Sequence, residues 1–325
     1  MSWKSLAWSA AAIVLLLTLA TPLNFITVFL VMTPFVVLYA MLDWKSFVLH
    51  LLPIGLIAFL LSGALGPLLV TAALYFLVPA IAMGHLYKRG SLAKSAVTAG
   101  FVIVLAQILF VLVLFSLMLD IDIKAQLTAK LADYFQQFDT ARLIEAGWTA
   151  ESAAGFSSLF KSLLMMNQLP ETGWAAEAAS TYIGFGVSIL PTLLFVFIFL
   201  FVVISHALSR LALRSVPFDA PALPQAKTWR LPKSLVLYFV IALIAVAAMS
   251  EESSGYWRIA ISNLVPILEL AFTIQAIGFV FFLSDLKKWP RAISLLLCLP
   301  ILLIPSMFII GLLDTAFPIR KSFEK

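Results

Sequence analysis

Cysteine, histidine and charge are all scarce in this 325-residue chain, which has 1 Cys and 3 His and is only 11% charged. Cys298, being alone, excludes a disulfide framework and any multi-cysteine metal site. His50, His85 and His206 lie far apart and show no ligand spacing, so neither a metal nor another cofactor is expected. There is no glycine-rich phosphate loop, no histidine pair at metal spacing and no serine in a glycine-flanked elbow. The chain therefore reads as a non-enzyme.

The shortage of charge also excludes a soluble fold. A water-facing domain carries about a quarter charged residues, whereas here 63% of residues are hydrophobic and the mean hydropathy is +1.08. Lipid must be the solvent for most of this surface. Inside a bilayer every backbone polar group needs an internal partner, which leaves helices or closed barrels. Barrel strands alternate apolar and polar residues. Leu190–Ile204 and Leu295–Ile310 are apolar without alternation, so the fold class is an all-α polytopic transmembrane helix bundle.

A span needs about 20 apolar residues. Candidates are Ala7–Ala20, Phe25–Leu42, Phe47–Leu61, Leu68–Met83, Ala96–Leu119, Thr181–Ser205, Leu235–Met249, Ile259–Leu283 and Ala292–Leu313. Pro22 breaks the opening run, so the first two segments form either a tight hairpin or one span plus a partly inserted piece. Eight or nine spans follow. Lys4 before an apolar run resembles a signal peptide, but Thr18-Leu19-Ala20 is a poor cleavage site and more apolar sequence follows. The first span is read as uncleaved.

Basic residues give the orientation. Lys45, then Lys88, Arg89 and Lys94, then Arg210, Arg214, Lys227, Arg230 and Lys233, then Lys287, Lys288 and Arg291 fall on alternate loops, the pattern of cytoplasmic loops. With Lys4 this places the N-terminus in the cytoplasm of a cell whose inner membrane holds the protein. The same confinement to short loops accounts for the net charge of +5 without nucleic acid. Nine spans put Arg320, Lys321 and Lys325 outside, against the rule; the expectation is nevertheless that the last segment crosses, despite Pro300 and Pro305.

Three regions result. Residues 1–119 hold the N-terminal transmembrane helices and 181–325 the C-terminal ones, with a Pro-rich cytoplasmic loop at 209–233 expected to be extended. Residues 120–180 form an extracytoplasmic amphipathic helical segment. Within it Ile123, Leu127, Leu131, Tyr134 and Phe135 recur at helical spacing, as do Phe156, Leu159, Phe160, Leu163 and Leu164. The loop Pro170-Glu171-Thr172-Gly173 closes the second of these helices.

Glu269 is the foremost candidate for chemistry. It falls about ten residues into its span, some 15 Å deep, where an ionisable side chain usually faces a bundle interior or a water-filled cavity. It is read either as a ligand-coordinating or proton-carrying carboxylate, or as a hydrogen-bonded structural group. Asn263 and Gln275 flank it in steps of six, about 240° of helix, so the three point to different faces unless Pro266 disturbs the helix. Gln107 is a fourth ligand-binding candidate, though buried amides more often bridge helices. Asp43, Asp120, Asp285 and Asp314 read as solvated span ends. Trp3, Trp8, Trp44, Trp229, Trp257 and Trp289 cluster at the same boundaries, like interfacial belts. His85 and His206 adjoin cytoplasmic ends and read as interfacial. Ala7 and Ala11, four residues apart, offer a small-residue face for a docking helix.

Several short motifs carry a resemblance. Leu208-Ser209-Arg210, Trp229-Arg230-Leu231-Pro232, Asn263-Leu264, Gln275, Gly311-Leu312-Leu313-Asp314, Phe317 and Arg320-Lys321 resemble the YybS-like family of predicted bacterial membrane proteins, a domain of unknown function. Ala276 departs from it, standing where glycine is expected after the glutamine. Members of that family are similar in turn to the substrate-binding S components of energy-coupling-factor transporters. The resemblance implies a helix bundle with a solute pocket opening outward beneath a cap, here 120–180. It also implies an ATPase-linked coupling subunit docked on the first helix, here at Ala7 and Ala11. Two functions from different classes are carried forward: a solute-binding transporter subunit in the lipid bilayer, or a non-catalytic cell-envelope scaffold.

Overall fold

The computed structural model describes residues 2–118, 122–165, 168, 173–216, 218–249, 256–317 and 319–323. Leu119, Asp120, Pro170, Glu171, Thr172 and Lys325, which the sequence reading used, lie outside them. The described residues form helices and no strand. In chain order the helices are α1 (Trp3–Thr18), α2 (Asn24–Thr27), α3 (Met32–Met41), α4 (Trp44–Leu61), α5 (Gly66–Lys88), α6 (Ala93–Met118), α7 (Ile123–Gln136), α8 (Thr140–Glu145), α9 (Ala150–Leu163), α10 (Trp174–Leu213), α11 (Ser234–Ala248), α12 (Tyr256–Leu286), α13 (Arg291–Leu303), α14 (Phe308–Ala316) and α15 (Ile319–Phe323).

Among the described residues six segments are long and apolar enough to cross a membrane: Asn24–Met41, Trp44–Leu61, Gly63–Lys88, Ala93–Leu114, Trp174–Leu213 and Trp257–Leu286. A bent pair, α13 with α14, makes a seventh if it counts as one span. The eight or nine spans expected from sequence exceed this because α1 and α11 have only 16 and 15 residues. At 1.5 Å per residue they reach about 24 and 23 Å, short of a hydrocarbon core of about 30 Å. Conversely α10 has 40 residues. It begins inside the expected insert and continues to Leu213, so the expected extended loop at 209–233 starts one turn late. From Arg214 to Lys233 the described residues contain one 3-10 turn, Ala226–Thr228, and no α-helix.

By packing, the chain divides into two units. The first comprises Met1–Val113, Phe195–Ile244 and Ile267–Lys325. Its centre is α3, where Met32, Phe35, Val36, Val37, Leu38 and Ala40 are all buried, leaving almost no outward face. A helix apolar all round belongs inside a bundle, and α3 packs on α1 and α5. Gly84 of α5 permits that approach, since a Cβ there would stand 2.8 Å from the Tyr39 ring. His206 is buried within the protein, and its Nδ1 meets the Tyr87 hydroxyl at 2.5 Å.

Near the end of this unit, α13 and α14 meet at a 115° bend. Pro305 follows Ile304, whose extended backbone ends α13. Residues 292–313 are therefore not one straight span. With 13 and 9 residues, the two arms reach about 20 and 14 Å, and neither crosses a bilayer alone. The start of α13 lines one cavity together with residues 225–227, and Arg320, after α14, donates to Lys227 O and Trp229 O.

The second unit comprises Leu114–Leu194 and Ala245–Pro266. The two amphipathic repeats expected from sequence are α7 and α9, with α8 between them. Asp122 and Thr149 cap α7 and α9 by accepting from Ala125 N–H and Ser152 N–H, the usual role of Asp and Thr at helix starts. Phe135 stacks on Trp174, Phe138 stacks on Phe160, and the Tyr182 hydroxyl donates to Leu164 O at 2.6 Å. An aromatic core thus ties the insert to the beginning of α10.

Candidate functional site

Prolines lie inside both α10 and α12, and both flank a candidate site in the second unit. Pro191 has no N–H, so Val187 O loses its usual donor four residues on; Pro266 does the same to Ser262 O. One turn around Pro191, the Asn263 side chain reaches two backbone groups of α10. Its Oδ1 accepts from Thr192 N–H at 3.0 Å and from the Thr192 hydroxyl at 2.6 Å, while its Nδ2 donates to Ser188 O at 2.7 Å. A further bond from Nδ2 to Ile259 O, 2.8 Å, fixes the amide to its own helix. One asparagine side chain thus pins α12 to the backbone of α10, the kind of interhelical bond that buried amides make in membranes.

Beside this splint lies a cavity of about 460 Å³, lined by Ser188, Ile189, Thr192, Leu193, Arg258, Ile259, Ser262, Asn263 and Pro266. Its wall is mainly apolar, with hydroxyls, an amide and a guanidinium at a few points. That is the usual composition of a small-molecule site, and the volume falls in the usual range of about 300–1,000 Å³. Polar backbone inside a membrane is tolerated where it lines such a cavity.

The four ligand-binding candidates occupy four neighbourhoods. Asn263 alone lines this cavity. Glu269 is half-buried, and among the described residues its carboxylate has no hydrogen-bonding or ionic partner; only its backbone oxygen is engaged, by Thr273. Gln107 donates to Tyr75 O at 3.0 Å, and its Oε1 is buried without a partner. Of the docking candidates, Ala7 is exposed and Ala11 half-buried, away from the buried stripe Ser5, Ser9, Ala12 and Leu16 of α1. Among the described residues no cluster of His, Cys, Asp and Glu could hold a metal.

Gln275 belongs to a second constellation, in the first unit, that sequence reasoning missed. Arg320 and Asp314 form an ion pair at 2.6 Å with both side chains only 2% exposed. Burial of that kind needs further hydrogen bonds to be tolerated, and they are present. Arg320 donates to Lys227 O at 2.6 Å and Trp229 O at 3.0 Å, and its guanidinium lies over the Phe282 ring. Gln275 donates to Asp314 and Trp229 O and accepts from Leu231 N–H. Gly278, one turn along α12, leaves room for Ala226 O, which would stand 2.9 Å from a Cβ. The clamp thus fastens α14–α15 and the 226–231 segment onto one face of α12.

This corrects the reading of Asp314 as a solvated span end. Asp285, by contrast, is exposed, pairing with Lys227 at 2.9 Å, and Asp43 caps α4 by accepting from Ser46 N–H. Hydrogen bonding from the Ser46 side chain, and then from its backbone, holds the Asp43 carboxyl below its usual range. The clamp also explains the motifs behind the sequence resemblance: Trp229 to Leu231, Gln275, Asp314 and Arg320 are its members. Gly311 packs against the backbone of Phe272 and Ala276, so the close approach is supplied by Gly311 even though position 276 is alanine.

Comparison with known proteins agrees with these motifs. No solved structure matches the chain. The uncharacterized protein YybS of Bacillus subtilis (strain 168) is 23% identical over 249 residues, covering 75% of this chain and 73% of that protein. Residues 9–315 match the family described as predicted membrane protein (DUF2232). The chain belongs to that family.

Proposed function

We propose that the protein is the solute-binding subunit of a membrane transport system, and that the solute occupies the cavity at Asn263. The observation that carries this reading is a mainly apolar cavity with a few convergent polar groups, formed where two proline-containing helices meet. Proline frees a backbone carbonyl in each helix, and freed backbone groups serve at the binding sites of many transporters. The solute is small and amphipathic: Ile189, Leu193, Ile259 and Pro266 suit an apolar body, and Ser188, Ser262 and Arg258 suit one or two polar groups. The resemblance to substrate-binding S components points the same way. In this reading the exposed face of α1 around Ala7 and Ala11 docks an ATPase-linked coupling subunit, and no chemical step occurs on the chain.

The charge pattern supports an arrangement in the cytoplasmic membrane with α1 and α11 as short crossings. Eight crossings, with α13 and α14 re-entrant, place Lys4, Lys227, Lys287 and Arg320 together on the cytoplasmic side. The exception at the tail then disappears.

The test is thermal unfolding of the purified protein across a panel of vitamins and metabolites. A stabilising solute whose effect is lost in Ser262→Val and Arg258→Gln supports the proposal. If no solute shifts the melting temperature, or the shift survives both substitutions, the cavity is not a solute site and the scaffold reading takes its place. Copurification with an ATPase pair, abolished by Ala7→Leu, tests the coupling.

A further inference from the structure

A second cavity, in the first unit and apart from the proposed solute site, is basic. It measures about 670 Å³ and is lined by Gln225, Ala226 and Lys227 of the loop and by residues of α12 and α13. Lys227, Lys288 and Arg291 face it, with Asp285 as the one carboxylate in the lining. Asp285 is already paired with Lys227. Lys288 and Arg291 have no carboxylate partner among the described residues and are exposed. The geometry points to a site for the phosphodiester headgroup of an anionic phospholipid.

Three features argue for a built site over scattered surface charge. First, Lys288 has φ +53° at the end of α12. Trp289 N–H bonds to Ser284 O and Lys288 N–H to Asp285 O, which makes Lys288 the left-handed residue of a Schellman turn, where glycine is strongly preferred. A lysine is thus held, with backbone strain, at a position in the cavity lining. Second, the walls are fixed. The buried hydroxyls of Ser284 and Ser294 bond α12 to α13, and Arg320 holds Lys227 O on the loop side.

Third, the rim identifies a lipid over a free phosphate. Trp289 and Phe281 line the cavity, and Leu295, 63% exposed, continues it into the exposed stripe of Leu299 and Leu302 on α13. Those positions recur every three or four residues on one helix face. They form a track for an acyl chain that starts where the cations are. Basic pockets between transmembrane helices bind anionic headgroups, with each cation contributing several-fold in affinity.

The experiment is native mass spectrometry of the purified chain in mixed micelles of phosphatidylglycerol and phosphatidylcholine. Melting temperature in phosphatidylcholine alone is recorded in parallel. The expected result is preferential retention of phosphatidylglycerol, weakened about fivefold by Lys288→Gly and about 25-fold by Lys288→Gly with Arg291→Gln. Lys287→Gln, a neighbouring cation outside the lining, should leave it unchanged. Lys288→Gly relieves the left-handed strain, so it should melt no lower than the parent while binding less. A merely unfolded variant cannot show that combination. Equal retention of both lipids, or unchanged retention in Lys288→Gly, overturns the proposal. Displacement of the lipid by millimolar inorganic phosphate overturns it too, in favour of a free-phosphate site.

Discussion

Arg320 encloses Asp314 from six residues away, its Nε 3.0 Å from both carboxylate oxygens and its Nη2 2.6 Å from one of them. Two charges that a hydropathy profile would assign to headgroups are instead sealed together at the end of a helix. Removing one partner leaves the other buried and uncompensated. Arg320→Met and Asp314→Leu should each destabilise by about 3–5 kcal/mol, and the double variant by much less than the sum. Thermal unfolding of the four proteins measures this. Additive losses would show that the ion pair is not the unit. Limited proteolysis should also cut residues 218–231 faster in Arg320→Met, because the segment loses two of its anchors.

Gly311 offers a steric test of the same region. A Cβ there would overlap Phe272 O and stand 2.7 Å from Ala276 N. Gly311→Ala should therefore cost about 1–3 kcal/mol by overpacking. Gly55→Ala, in open space within α4, should be neutral or slightly stabilising. Equal melting temperatures for the two variants would contradict the packing described.

The Asn263 splint predicts an order of severity. Asn263→Leu leaves Thr192 N–H and Ser188 O with each other as the ordinary partners of a helix, so the loss should stay near the usual value for one interhelical bond in a membrane, about 0.6 kcal/mol. Asn263→Asp replaces the donor that faces Ser188 O and Ile259 O with an acceptor, and should cost about 2 kcal/mol or more. Unfolding midpoints in the reverse order would contradict the pinning amide.

Labelling tests the topology. In a Cys298→Ser background, Arg230→Cys and Ser322→Cys should react with an impermeant maleimide from the same side of the membrane. Ala64→Cys, in the charge-free turn before α5, should react from the other. Opposite sides for Arg230→Cys and Ser322→Cys would break the connection between tail and loop.

The membrane-crossing helices were legible because an uninterrupted apolar run has few alternatives in lipid. α5, α6 and the body of α12 lie where hydropathy put them. Lengths were less legible. The Ala-rich start of α10, Trp174–Ser180, is helical because it packs on Phe135 and Phe160, and that contact is invisible in a window average. The clamp could not be read at all, because Asp314 at the end of an apolar run looks solvated until the chain folds Arg320 over it. Asn263 was legible as a buried amide, but its partners Ser188 and Thr192 lie 75 and 71 residues earlier. The available signal was the pair of prolines inside spans, at 191 and 266. Glu269 drew notice for its charge at depth, yet it belongs to neither the cavity nor the clamp.

The clamp also has a consequence for assembly during synthesis. Arg320 is made 91 residues after Trp229 and 93 after Lys227, the carbonyls it holds. At about 5–20 residues per second, the loop waits roughly 5–20 s for its anchor. Until then Gln275 can engage it only partly, since Asp314 is also still to come. The segment that ends up most tightly fastened is thus among the last to be secured. A ribosome stalled before residue 320 would leave a chain with its helices made but its clamp open.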